Sequence, residues 1–272
     1  MLPNKNFVAL ITRYPFDSSM QPQDYAYLYE LEETFWWFVG MREITNALLT
    51  PILSREDERR VLDAGCGTGG MMSWLTRYAN NGEVMGIDLS SKALEFSHRD
   101  HQNLSRGSVS HLSFADASFD LVTSFDVLQH VPDHEDARAI SEIHRVLRPG
   151  GIAFLRVSAY QWMRSGHDDA LSVNRRYSLS ELTGLMQGAG FQIRRATYAN
   201  TLLLPVAIFK RLVLSRLGFG QGESEVKPWS TGLQWMNGLL TVPLRIEARA
   251  LKKLDLPLGL SAIAIGEKSS DN

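Results

Sequence analysis

VLDAGCGTGG, residues 61–70, decides how this chain is read. Its first residues make a short strand-like run interrupted only by Asp63. Gly65, Gly67, Gly69 and Gly70 come directly after it. Glycine lets the main chain turn tightly and lets a ligand approach the backbone closely. Gly65, Gly67 and Gly70 fit G-x-G-x-x-G, the dinucleotide fingerprint. Asp88 ends the next strand-like run about 20 residues later, where that fingerprint puts a ribose-binding acid. The spacing alone does not say which ligand the turn holds. Asp63 does speak to it, because a carboxylate just before the turn repels a pyrophosphate and attracts an ammonium group.

Outward from the turn, short apolar runs alternate with amphipathic ones. RRVLDAG (59–65), EVMGIDLS (83–90), FDLVTSFD (119–126), GIAFLRVSA (151–159), FQIRRATYA (191–199) and LSAIAIGEK (260–268) read as strands. MMSWLTRYA (71–79), SKALEFSHRDHQ (91–102), DHEDARAISEIHRVL (133–147) and SLSELTGLMQGAG (178–190) read as helices. Ser90 or Ser91 is the expected N-cap of the second helix, Arg148-Pro149-Gly150-Gly151 stops the third, and Gly190 stops the fourth. This alternation predicts an α/β fold, a mostly parallel sheet with helices on both faces. Two segments stand apart. Residues 24–50 are helical and rich in aromatics. Residues 200–258 hold two apolar helical stretches around a polar linker. The expected organisation is a helical lid over 1–55, a core over 56–199, a helical insertion over 200–258, and the last strand and tail over 259–272.

The 272 residues suit one large α/β domain with a cap, and 44% hydrophobic residues suffice for a full core. A net charge of −2 gives no footprint for nucleic acid. The single cysteine, Cys66, excludes an internal disulfide and suits a reducing compartment. Between two glycines it reads as a small filler rather than a nucleophile. No Cys/His cluster suggests a metal. The N-terminus lacks the pattern of a signal peptide, since its apolar run is short and is soon broken by Arg13. No uncharged apolar run is long enough to span a membrane. The expected location is cytoplasmic, with membrane-peripheral contact through 200–258 as the variant.

Asp63-x-Gly65-x-Gly67-x-Gly69 resembles motif I of the class I S-adenosylmethionine-dependent methyltransferases. GIDLS, SFADASFDLVTSFDVLQHVPD and RVLRPGGIAFLRV continue the resemblance in order and spacing, to about residue 157. EETFWWFVGMREI, HDDALSVNRRY and LPLGLS resemble a bacterial subgroup related to methyltransferase type 11, whose WWF stretch usually precedes two basic residues. Here Met41-Arg42 leaves one. The resemblance implies a seven-stranded Rossmann-like doubly wound sheet, with the last strand antiparallel. It implies S-adenosylmethionine as cofactor and S-adenosylhomocysteine as product. It places the methionine part over Gly65, Gly67 and Gly69, with Asp63 near the amino group. Asp88 would take the ribose hydroxyls and Leu89 would pack on the adenine. Ser108 and Val109 stand where the family often has Asp-Ala beside the adenine. Phe125 would border the sulfonium, with core packing as its alternative. Arg42 would pair with the cofactor carboxylate, and Trp36 or Trp37 would close over the site.

The implied reaction is an in-line methyl displacement, which needs a base only for some acceptors. Base candidates belong on loops at the C-terminal ends of strands. His167 is the first, beside Asp168, and His130 the second. Tyr160, Arg176 and Tyr177 flank His167 in sequence and are the expected substrate contacts. The 200–258 insertion allows a cap over an apolar small-molecule or carrier-bound substrate, a membrane-surface contact, or a homodimer interface. A protein of the same fold that binds the cofactor without methylating is the alternative function.

Overall fold

The computed structural model describes residues 22–53, 58–132, 134–164, 173–209 and 235–270. Seven strands form one sheet: β1 Val61–Ala64, β2 Val84–Asp88, β3 Leu104–Arg106, β4 Phe119–Phe125, β5 Leu147–Ser158, β6 Phe191–Ala199 and β7 Ser261–Lys268. Their order is β3-β2-β1-β4-β5-β7-β6. β7 runs antiparallel to both β5 and β6, while β1 through β5 are parallel neighbours. The described helices are α1 Pro22–Leu31, α2 Trp36–Leu49, α3 Gly70–Ala79, α4 Ser91–Ser97, α5 Asp136–Val146, α6 Leu179–Gly188, α7 Leu204–Phe209 and α8 Met236–Leu251.

β1, β4 and β7 are buried almost end to end, as a sheet covered by helices on both faces requires. Leu62, Val122, Ala153, Leu155 and Ala264 join one core with Ile140 and Ile143 of α5 and Leu182 and Met186 of α6. Val61, Leu121, Phe154, Ile263 and Ile265 join the other with Ile44 and Leu48 of α2, Leu75 of α3, and Leu244 and Leu251 of α8. α2 and α8 are thus a layer of the core. They approach closely because Gly40 has no side chain: a Cβ there would lie 2.2 Å from Leu244 Cδ1.

Ser90 caps α4, accepting from the Ala93 N–H, and Ser178 with Glu181 forms a full capping box on α6. α4 stops at Ser97, short of the expected 102, and the chain turns so that the His101 ring reaches Gly69 O at 3.1 Å. The helix expected over 133–147 begins at Asp136. β5 starts at Leu147, earlier than expected, because Leu147 pairs with Phe119 ahead of the Pro-Gly-Gly irregularity; register resumes at Leu121↔Ile152. The three-residue β3 escaped the pattern reading, being too short to show alternation.

Sequence order reverses between β1 and β4. In open α/β sheets such a switch opens a crevice at the carboxyl ends of the strands. The glycine turn after β1 and the Phe125–Asp126 corner after β4 flank it.

Candidate active site

Gly65, Gly67 and Gly69 all take positive φ, at 91°, 55° and 93°. Their surroundings differ. A Cβ on Gly65 would strike Val127 Cγ2 at 2.2 Å, and one on Gly69 would strike Ser97 Oγ at 2.5 Å. A Cβ on Gly67 would meet nothing within 4 Å. Gly67 is the turn's open face. Cys66 packs inward against Met72 and Leu94, and burial pushes its thiol up, which keeps it protonated and unreactive.

Asp88 anchors the turn. Its Oδ2 accepts the Gly67 N–H at 2.9 Å and its Oδ1 accepts the Ser90 N–H at 2.8 Å. Each oxygen keeps a further lone pair for a ligand hydroxyl. Leu89 beside it is 38% exposed, an apolar platform. Burial raises the Asp88 carboxyl, opposed by its backbone hydrogen bonds and by His130, which lies within electrostatic reach. Ser108 accepts the Ser110 N–H at 3.2 Å, and Val109 is buried next to it.

Asp63 is 1% exposed and accepts a hydrogen bond from Thr123 Oγ1 at 2.9 Å. Burial pushes its carboxyl up to about 7; Glu32 and Asp88 add to the rise, while Thr123 and Arg156 oppose it. Glu32, at the end of α1 and just before α2, is a residue the sequence reading missed. Its Oε2 accepts the Gly70 N–H at 2.8 Å, and burial raises it to about 7. No local pattern singles out this glutamate, since it meets the glycine turn only through the tertiary fold.

Glu32 bears on the ligand. In dinucleotide folds the first N–H groups of the helix after the glycine turn receive the pyrophosphate. Here the Gly70 N–H is already engaged by the chain's own carboxylate. Glu32 and Asp88 both lie within electrostatic reach of Asp63, with Arg156 as the cation acting on it. A pyrophosphate would meet three acids, whereas an ammonium or sulfonium would be attracted. The open Gly67, the Asp88 oxygens, the Leu89 platform and the buried Asp63 fit S-adenosylmethionine.

The far wall is an aromatic clamp on Arg156. Its guanidinium carbon lies 5.1 Å from the Trp37 ring and 5.0 Å from the Phe125 ring. Its Nε and Nη2 donate to Asp126 Oδ2 at 2.9 and 2.6 Å. Trp37 thereby ties α2 to the ends of β4 and β5. Arg156 and Asp126 were also missed, although both occupy strand ends. Trp36 sits at the start of α2, its main-chain N–H donating to Asn237 Oδ1 at 3.3 Å.

Arg42 donates to the Glu32 and Glu33 carbonyls at 2.7 and 2.6 Å, closing the end of α1. Two expected substrate contacts are instead buried in the scaffold. Tyr177, expected at the substrate, is 1% exposed; its hydroxyl donates to Leu128 O and Asp136 Oδ2, both at 3.2 Å. Arg176 is buried and donates to Ala159 O at 3.0 Å. Both residues brace the 3₁₀ turn Leu128–His130 and the end of β5. Gln129 braces the same turn, its Oε1 accepting the Ser158 N–H at 2.7 Å. Tyr160 stacks on Tyr198 and Trp162, with ring centroids 5.2 and 5.6 Å apart. His167 lies outside the described residues. Among the described residues no group of three or more His, Cys, Asp or Glu is placed to hold a metal, and no helix is long and apolar enough to cross a membrane.

Residues 62–155 match the methyltransferase domain family. A Mycolicibacterium smegmatis protein named as a probable S-adenosylmethionine-dependent methyltransferase is 29% identical over 60% of this chain and 62% of its own length. A Mycobacterium ulcerans phthiotriol/phenolphthiotriol dimycocerosates methyltransferase is 36% identical over 34% of this chain and 35% of its own. The matches thus cover less than two thirds of these relatives. An S-adenosylmethionine-dependent methyltransferase structure from Mesorhizobium loti superposes with a TM-score of 0.52 at 17% identity, over 83% of this chain and 98% of that one. Residues 62–155 thus carry a methyltransferase domain, in a fold shared with S-adenosylmethionine-dependent methyltransferases.

Proposed function

We propose that the protein transfers a methyl group from S-adenosylmethionine to an apolar small molecule or a lipid- or carrier-linked intermediate. One observation carries the cofactor half of this reading: the Gly70 N–H, which a pyrophosphate would need, is held by Glu32, while the turn beside it is open at Gly67 and within electrostatic reach of Asp63. The bound cofactor supplies an electrophilic methyl carbon on a sulfonium. Asp63 holds the ammonium, Asp88 holds the ribose hydroxyls, and Leu89 covers the adenine. Trp37 and Phe125, clamped on Arg156, wall the crevice and exclude water. Much of the rate gain comes from alignment, worth up to roughly 7–11 kcal/mol in favourable cases.

The acceptor half rests on the aromatic stack of Trp162, Tyr160 and Tyr198 beyond β5. The Mycobacterium ulcerans relative, named for a lipid acceptor, supports the same class. His167 is the first proposed base and His130 the second.

Titration calorimetry with S-adenosylmethionine, S-adenosylhomocysteine and NAD tests the cofactor half. Binding of the first two and not NAD is expected; binding of NAD alone overturns it. Formation of S-adenosylhomocysteine in the presence of amphiphilic acceptors tests transfer, and cofactor binding without turnover on any acceptor favours the non-methylating alternative. His167→Ala should lower turnover more than cofactor affinity. Full activity in that variant would move the role to His130.

A further inference from the structure

α8 is apolar on two sides. Thr241, Leu244, Ala248 and Leu251 face the core. On the opposite side Trp235, Leu239, Val242 and Ile246 stand 43–67% exposed. Their spacing of four, three and four residues makes one continuous stripe. The same spacing continues into Arg249 and Lys253, both exposed, and Arg245 flanks it. The only carboxylate of α8, Glu247, points inward and accepts the Thr201 N–H at 2.9 Å, so no acid of this helix dilutes the exposed face. An apolar stripe headed by tryptophan and bordered by cations, with no anion of the helix itself among them, complements a bilayer surface: apolar groups enter the acyl boundary while the cations meet anionic headgroups.

We infer that the exposed face of α8 docks on an anionic lipid membrane. The surface is joined to the site. Asn237, two residues after Trp235, receives the Trp36 main-chain N–H, and Trp37 of the same helix lies over Arg156. Docking therefore sets the mouth of the crevice at the bilayer, where an amphiphilic acceptor is concentrated. The inference stands apart from methyl transfer, since docking is measured without turnover.

The test uses the full chain with Gly238→Cys, a stripe position where a new side chain meets nothing within 4 Å. The native Cys66 is buried, so an environment-sensitive fluorophore goes to residue 238. Vesicles of phosphatidylcholine are compared with vesicles of equal parts phosphatidylcholine and phosphatidylglycerol. A blue shift and co-sedimentation with the anionic vesicles, weakened by salt, are expected. Leu239→Ser with Ile246→Ser should abolish both. Arg245→Gln and Arg249→Gln should weaken binding about fivefold each. Circular dichroism checks that these exposed substitutions leave the fold intact. Four results overturn the inference: equal binding to both vesicle types, no binding to either, a shift that grows with protein concentration without lipid (a second copy covers the face), or failure of residue 238 to label (the chain covers it).

Discussion

At the scale of single residues, the three turn glycines look alike in sequence and do different work. Gly67→Arg fills the open face and puts an L-residue at φ 55°. It should abolish S-adenosylmethionine binding at a stability cost of about 1–2 kcal/mol. Gly65→Ala adds an atom that collides with Val127. It should cost more, about 2–4 kcal/mol, because strain and overpacking combine. Urea unfolding and calorimetry on the two variants check this contrast; equal stability loss would contradict it. Asp88→Ala should weaken cofactor binding by about 1–3 kcal/mol, the scale of lost charged hydrogen bonds, and unchanged affinity would place the ribose elsewhere. Asp63, the glycines and Asp88 were legible because they are close in sequence and their spacing is dictated by one turn. Glu32 and Arg156 were not, since each reaches the crevice from another element.

At the scale of elements, the helix packing depends on one missing side chain. Gly40 sits in the interior of α2, where glycine is intrinsically costly, and it earns that position by letting Leu244 of α8 lie against the helix. Gly40→Ala should lower stability by about 1–3 kcal/mol. Adding Leu244→Ala should cost less in that background than in the native one, as a double-mutant cycle by urea unfolding would show. Nothing in the periodicity of either helix announces this contact. The capping box at Ser178 and Glu181, in contrast, is readable four residues at a time, because a cap is satisfied by its own chain. Tyr177 and Arg176 show the opposite failure. Their loop was correctly expected at a strand end, yet which side of a chain faces the interior is set by what packs on it. Here the Tyr177 hydroxyl meets Asp136 and the 3₁₀ turn rather than an acceptor.

At the scale of the molecule, the buried acids make stability and binding respond to pH in opposite ways. Asp63 and Glu32 both lie near 7 in the fold, whereas carboxyls in an unfolded chain titrate near 4. The folded state therefore holds more protons between these values. The stability contributed by the protonated groups is fully present below about 4 and is lost as pH rises through about 7. Melting temperature without cofactor should fall from pH 5 to pH 7.5, and Asp63→Asn with Glu32→Gln should flatten that decline. An ammonium beside Asp63 favours its charged form. Cofactor binding should then tighten from pH 6 to pH 8 with release of a proton, visible as a dependence of calorimetric heat on buffer ionisation. Affinity independent of pH would remove Asp63 from the ammonium.

By itself the sequence determined the α/β alternation, the glycine turn, the acid that ends the second strand, and the antiparallel place of the last strand through its family resemblance. These are local matters: strand period, glycine conformations and caps each involve a few neighbouring residues. Only the tertiary structure decided that Glu32 occupies the helix terminus a phosphate would need, that Arg156 is gripped between Trp37 and Phe125, and that Arg176 and Tyr177 serve the scaffold. Each of those outcomes depends on groups brought together from distant parts of the chain, where burial, charge and steric fit are properties of the packed whole.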